Sequence, residues 1–221
     1  MQERCDHNAA MIKIVLFDFD GTIADSFTVV QNIFYEITGK PRIKDPVEIE
    51  RLRKMTTLAA VRELHIRPWQ IPGLLIKGRS AMAQHINDIP IFPGMVQTIR
   101  KLHADGFELY VMSSNSAQNV QDFLKHYSLD SYFMRVYGNI GLLNKAAAIR
   151  NVMRRNRFAP EECAYIGDET RDIEGAKRAG ITIISVPWGY NDRGLLAHHQ
   201  PDIIVSSPQE IITYLESRNK A

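Results

Sequence analysis

Hydrophobic positions along this chain follow two rhythms. From about Gly94 onward, short apolar runs alternate with segments whose apolar residues recur every three or four positions. The runs Phe107–Met112, Tyr132–Tyr137, Cys163–Ile166, Ile181–Val186 and Ile203–Val205 are expected strands. Between them, expected helices cover Gly94 to Asp105, Ala117 to Tyr127, Lys145 to Asn156 and Arg171 to Ala179. A weak helix before residue 200 and a C-terminal helix complete the series. Gly106 and Gly180 stop two of these helices. An earlier apolar run, Ile12–Phe17, reads as a buried strand at the start of the chain. Short apolar strands alternating with helices imply an α/β fold, a doubly wound parallel sheet covered on both faces.

The stretch from about Phe27 to Ile89 breaks this alternation and reads as helical throughout. Phe27, Val30, Phe34 and Ile37 share one helical face until Gly39-Lys40-Pro41 ends it. Asp45-Pro46-Val47-Glu48 is a helix start: a capping side chain, proline at the first helical position, then an acid able to reach back. Leu58–Leu64 and Leu74–Ile86 are further helices. The expected organisation is a polar, disordered tail at 1–10, an α/β core at 11–26 and 90–221, and a small all-helical cap at 27–89 inserted into it.

Size and charge narrow the classes of function. With 221 residues, the chain fits one core plus an insertion. A formal net charge of +2 provides no strong field for nucleic acid or a membrane surface. No apolar stretch approaches the roughly 18 residues that a membrane span needs. Cys5 and Cys163 lie far apart in unlike contexts, so a reducing cytoplasm is the expected location and Cys163 reads as inert core. Oligomeric state is open between monomer and homodimer.

The chemistry gathers at strand ends. Asp18 and Asp20 stand two residues apart where the first strand must turn, followed by Gly21 and Thr22. Ser114 and Asn115 end the second strand, Lys145 opens the helix after the third, and Asp168 and Asp172 follow the fourth. In a parallel sheet these ends point the same way and bound one crevice. Metal-ligating carboxylates, one cation and hydroxyl donors together suit a phosphate dianion and Mg²⁺.

These motifs, Asp18-Phe-Asp-Gly-Thr, Ser114-Asn115, Lys145 and Gly167-Asp168-Glu-Thr-Arg-Asp172, resemble the haloacid dehalogenase superfamily, in the branch that includes phosphoglycolate phosphatases. The likeness covers essentially residues 11–216. The family often has proline after the lysine, where Ala146 stands here. The resemblance implies a sheet order of 5-4-1-2-3 and a helical cap closing over the crevice. It implies Mg²⁺-dependent hydrolysis of a small phosphate ester, with phosphoglycolate the first candidate. Asp18 would be the nucleophile, forming an aspartyl phosphate, and Asp20 the acid and base. Asp18, the backbone carbonyl of Asp20 and Asp168 would hold the metal. Lys145 and Ser114 would bind phosphoryl oxygens with the backbone near Asn115, Gly21 would permit the tight turn, Thr22 would orient Asp20, and Asp172 would support from outside the metal.

Bland readings stand beside these. Asp-x-Asp-Gly also opens calcium loops, but the twelfth position from Asp18 is Val29 rather than glutamate. Ser113 competes with Ser114, which is preferred for standing directly before asparagine. The basic residues Arg51, Arg53, Lys54, Arg62, Lys77 and Arg79 form either a solvated helix face or, with Arg53 and Lys54 foremost, a substrate-selecting one. Trp188-Gly189-Tyr190 either lines the crevice or packs the sheet edge. The histidines lack metal-ligand spacing. Three rival functions remain: a dehalogenase, which Asp20 argues against; a β-phosphoglucomutase-like phosphotransferase; and a non-catalytic binding protein on the same fold.

Overall fold

A computed structural model describes residues 11–141 and 144–220. The expected tail at 1–10 lies outside the described residues. Six parallel strands form the sheet: β1 (Ile14–Phe17), β2 (Glu108–Met112), β3 (Phe133–Tyr137), β4 (Cys163–Gly167), β5 (Thr182–Ser185) and β6 (Ile203–Ile204). Their order is β3-β2-β1-β4-β5-β6. The expected five-strand order is present, and β6 extends the β5 edge. In register, Phe17 lies between Val111 of β2 and Ile166 of β4. Both neighbours of β1 therefore end level with it, and their following loops open at one edge.

Alternate residues of β1 serve two cores, as the pleat requires. Val15 and Phe17 pack with Ile99 of α5 (Met95–Ala104), Phe123 of α6 (Ala117–His126) and Leu215 of α10 (Pro208–Lys220). Ile14 and Leu16 pack with Val152 of α7 (Lys145–Asn156), Ala176 of α8 (Thr170–Ala179) and Leu196 of α9 (Arg193–His198). Because both faces are covered, β1 and β4 are buried along their whole length. Such strands read as continuous apolar runs, which is why they are conspicuous in the sequence.

Between β1 and α5 come four helices: α1 (Phe27–Thr38), α2 (Pro46–Arg53), α3 (Thr57–Glu63) and α4 (Ile71–His85). Gly39 ends α1 in the left-handed conformation at φ 66°. The Asp45 carboxylate accepts from the Val47 amide, as its capping role requires. Glu48, expected to reach back to this cap, instead accepts from Arg51 one turn along α2 at 2.9 Å. A cationic partner on the same helical face outcompetes the backbone amide.

Candidate active site

Asp18 leaves β1 with its amide bonded to the Ile166 carbonyl at 2.8 Å, which fixes the tip of β1 against β4. The chain then turns tightly: the Gly21 amide reaches the Ala24 carbonyl at 2.9 Å, with Gly21 at φ 82°. Asp168 follows β4 and is fully buried. Its Oδ1 accepts from the Thr22 hydroxyl at 2.7 Å and its Oδ2 from the Tyr190 amide at 2.7 Å. Thr22 was expected to orient Asp20; it holds Asp168 instead. Close packing of the β1 and β4 loops places the hydroxyl across the sheet rather than back along its own turn. A Cβ on Gly21 would stand 2.7 Å from Cγ of Asp168, and one on Gly189 would overlap Asp168 Oδ2 and the Gly21 carbonyl. The Asp168 carboxylate is thus gripped between two glycines, each needed for the absence of a side chain.

Lys145 begins α7 and is only 5% exposed. Its Nζ lies 3.0 Å from Asp18 Oδ2 and pairs with Asp172 Oδ1, over the Tyr165 ring. Burial alone would discharge this amine, but the two carboxylates outweigh burial and raise its pKa. Asp172 spends its other oxygen on the Glu169 amide at 3.0 Å, closing the first turn of α8. Asp172 thus ties Lys145 to the first turn of α8. Burial pushes the carboxyls of Asp18 and Asp168 upward and that of Asp172 up to about 6.

One oxygen each from Asp18, Asp168 and Asp172 falls within 4.8 Å of the others. Asp20 Oδ1 is buried without a hydrogen-bond partner, and Asp18 Oδ2 has only the Lys145 ammonium, at 3.0 Å. Three carboxylate oxygens crowded this closely, against the single charge of Lys145, suit a hard cation, which oxygen donors bind well. The residues present therefore fit a divalent ion held by Asp18 and Asp168.

Asp20 lies in the turn that follows β1. Burial raises its pKa, offset by the Ser26 hydroxyl and then by Arg171. Asp20 lines a cavity of about 370 Å³ lying between the strand tips and the helical insertion, together with Ser114, Asn115, Arg53, Arg79 and Tyr190. Ser113 is buried and its Oγ accepts from the Asn115 amide at 2.9 Å, a role within the loop. Ser114 is the serine that faces the cavity. The Asn115 side chain is engaged with the Ser116 amide and Asn119, so it shapes the loop. Of the two insertion residues singled out, Arg53 lines the cavity and donates to the Gly189 carbonyl at 2.8 Å. Lys54 is exposed and lies 3.9 Å from Glu50, outside the cavity. The turn that caps α2 points consecutive side chains in different directions. Tyr190 lines the cavity, whereas the Trp188 indole donates to the Thr22 carbonyl at 3.2 Å, so both open readings of that stretch apply to different residues.

Sequence reasoning passed over Glu169, Arg171 and Thr57. The Arg171 Nε bonds Glu169 Oε1 at 2.8 Å, and the Thr57 hydroxyl of α3 donates to Glu169 Oε2. Burial pushes Glu169 up, but the Arg171 guanidinium outweighs it and the net shift is downward. All three line the cavity. The available signal was their position: Glu169 and Arg171 sit inside the Gly167–Asp172 motif, where a charged pair is forced into the interior.

The family model for haloacid dehalogenase-like hydrolases matches residues 15–186. The chain belongs to that family. It is a hydrolase of the branch resembling phosphoglycolate phosphatases. A phosphoglycolate phosphatase of Synechococcus elongatus is 31% identical over 204 residues, covering 91% of this chain and 96% of that protein. One from Vibrio vulnificus is 24% identical, covering 91% and 95%. Among solved structures, a haloacid dehalogenase-like hydrolase of Streptococcus pneumoniae has a TM-score of 0.75 at 25% identity, covering 92% of this chain and 98% of that one. CbbY of Rhodobacter sphaeroides, solved with phosphate, has a TM-score of 0.71 at 21% identity and shares the fold, covering 91% and 96%. Among the described residues, no helix is long and apolar enough to cross a membrane.

Proposed function

We propose that this hydrolase is a Mg²⁺-dependent phosphatase that cleaves a phosphate monoester through an aspartyl phosphate on Asp18. The observation that carries this reading is the gathering of Asp18, Asp168, Asp172 and Lys145 at adjoining strand tips, with Asp20 beside them facing a cavity. Asp18 forms a bond to phosphorus as the bond to the ester oxygen breaks. The departing alkoxide takes the proton of Asp20, whose burial favours the protonated carboxyl before attack. Asp20 then removes a proton from water, the hydroxide attacks phosphorus, and phosphate leaves with Asp18 restored.

Charge dictates the rest. Two anions must meet, and Lys145 supplies one fixed positive charge beside Asp18. A Mg²⁺ ion at Asp18 and Asp168 would supply Lewis-acid neutralisation of the phosphoryl oxygens. Ser114, at the cavity wall, would donate to a phosphoryl oxygen, and Arg53 would meet an anionic substrate group. The helical insertion at 27–89 would act as a cap that excludes water. A cytoplasmic setting and a monomeric or homodimeric state belong to the same proposal.

The test is a phosphate-release screen with and without Mg²⁺. Phosphoglycolate stands first because of the relatives' name; sugar phosphates, nucleotides and pyrophosphate follow. Asp18→Asn should abolish turnover and leave the melting temperature close to that of the parent. Turnover retained in that variant, or release unchanged by chelation, would overturn the reading.

A further inference from the structure

We propose that the alcohol released by this enzyme carries an extended apolar body, which lodges in the hollow inside the helical insertion. This rests on the phosphatase reading, which fixes where the alcohol goes: Asp20 protonates the leaving oxygen, and Asp20 lines this same cavity. The space next to the leaving oxygen is therefore the space the alcohol occupies.

That space is apolar. Phe27 and Phe34 of α1, Leu52 of α2, Val61 of α3, and Leu74 and Met82 of α4 all line it. Neither α2 nor α3 fully buries any residue, so their inward apolar side chains are not consumed in a packed core of the insertion. They surround a cavity of about 370 Å³ instead. Pockets that take ligands of drug size span roughly 300–1,000 Å³. One methylene and a carboxylate would leave most of this one unfilled and offer its walls almost no apolar surface. An alkyl or aryl body on the order of ten non-hydrogen atoms fills it and restores the dispersion contacts an empty apolar hollow forgoes. The polar side chains at the strand-tip end, Asp20, Ser114 and Arg171, lie where the phosphate and ester oxygen would be. The net reaction remains ester plus water to alcohol plus phosphate.

The experiment uses the full chain with Mg²⁺ and a series of ethyl, butyl, hexyl and octyl phosphates, with phenyl phosphate and phosphoglycolate alongside. Each methylene transferred from water to the hollow should raise kcat/KM about fourfold until the space is full. Ala60→Phe, which narrows the hollow from α3, should flatten this slope and leave ethyl phosphate turnover within about twofold of the parent. In parallel, non-hydrolysable alkylphosphonates of the same lengths should raise the melting temperature in step with chain length. A series that is flat, or that falls from phosphoglycolate downward, overturns the proposal, as does a slope unaltered by Ala60→Phe. Should Ala60→Phe not fold, the parent series decides by itself. If no ester at all releases phosphate while the phosphonate shifts still grow with length, the apolar site stands and the phosphatase reading is what fails.

Discussion

Replacing Gly189 by alanine tests how tightly the site holds Asp168. Gly189 does not share the left-handed φ of Gly21, so the new methyl group acts by contact alone. It would overlap Asp168 Oδ2 on one side and the Gly21 carbonyl on the other, and neither is the free end of a flexible chain. Retreat is opposed by the two hydrogen bonds that fix the carboxylate, from the Thr22 hydroxyl to Oδ1 and from the Tyr190 amide to Oδ2, each 2.7 Å long. The carboxylate must swing by something near 1 Å and give up the 2.7 Å bond from the Tyr190 amide. A lost hydrogen bond to a charged group costs about 1.5–3 kcal/mol and overpacking about 1–3 kcal/mol. These overlap, so a loss of about 3 kcal/mol is expected, or a fall in Tm of roughly 6–12 °C for a chain of this length. A 1 Å displacement at the reacting centre costs about 100-fold in rate. Phosphate release at saturating Mg²⁺, thermal melting, and Mg²⁺ titration calorimetry read the three effects. Gly73→Ala, on α4 with nothing within 4 Å of its Cβ position, is the control and should be neutral or gain up to about 1 kcal/mol. Were Gly189→Ala to keep kcat/KM within about threefold and Tm within about 2 °C, the claim that Asp168 is clamped would be wrong.

Three further predictions address neighbouring contacts. Thr22→Val removes the hydroxyl that steadies Asp168 Oδ1 and should weaken Mg²⁺ binding about 10–100-fold by calorimetry; unchanged affinity would leave Thr22 a packing residue. Arg53→Ala should raise KM for an anionic ester about 10-fold or more, as expected for loss of a charge-assisted contact, while Lys54→Ala changes it less than about twofold; equal effects would remove the distinction between the two. With metal chelated, raised carboxyl pKa values mean that the folded state binds more protons than the unfolded chain, so stability falls as pH rises from about 4 toward 6. The shift of Asp172 from 3.8 to about 6 alone corresponds to on the order of 3 kcal/mol, so the gap in Tm between Mg²⁺-saturated and chelated protein should widen over that range.

The fold was legible because its strands are buried on both faces and its helices on one. The helix from Lys145 to about Asn156 was legible because α7 carries its apolar positions at helical spacing and begins at the lysine. Strand ends were read too long, at Ile12, Val186 and Val205, since buried residues that continue past the ladder look the same in sequence as those within it. The order of strands came from resemblance; periodicity is blind to which strand lies beside which. Within the site, Asp18, Asp168, Asp172 and Lys145 were legible as strand-end polar residues. What each one touches was not: Thr22 crosses to Asp168 because the β1 and β4 loops pack together, a long-range fact with no local signature. The Glu169–Thr57 contact joins residues 112 apart, and the direction that separates Arg53 from Lys54 is set by the turn at the end of α2.

The buried charges explain why these pieces come as a set. Asp18, Asp168 and Asp172 carry three potential negative charges against the one positive charge of Lys145, while Glu169 and Arg171 balance each other. Carboxylates taken out of water without compensation protonate instead, and the upward shifts of all three acids express that cost. A phosphate dianion entering such a site would deepen the imbalance. On the proposed reading, a divalent cation gained with the substrate would hold the acids ionised, leave Asp18 nucleophilic and admit the dianion. The same burial would serve Asp20 differently in the proposed reaction: Asp20 lines the cavity, and a raised pKa there would keep a proton ready for the leaving oxygen. Two carboxyls two residues apart would thus take opposite tasks, one beside the Lys145 ammonium and the other at the cavity wall.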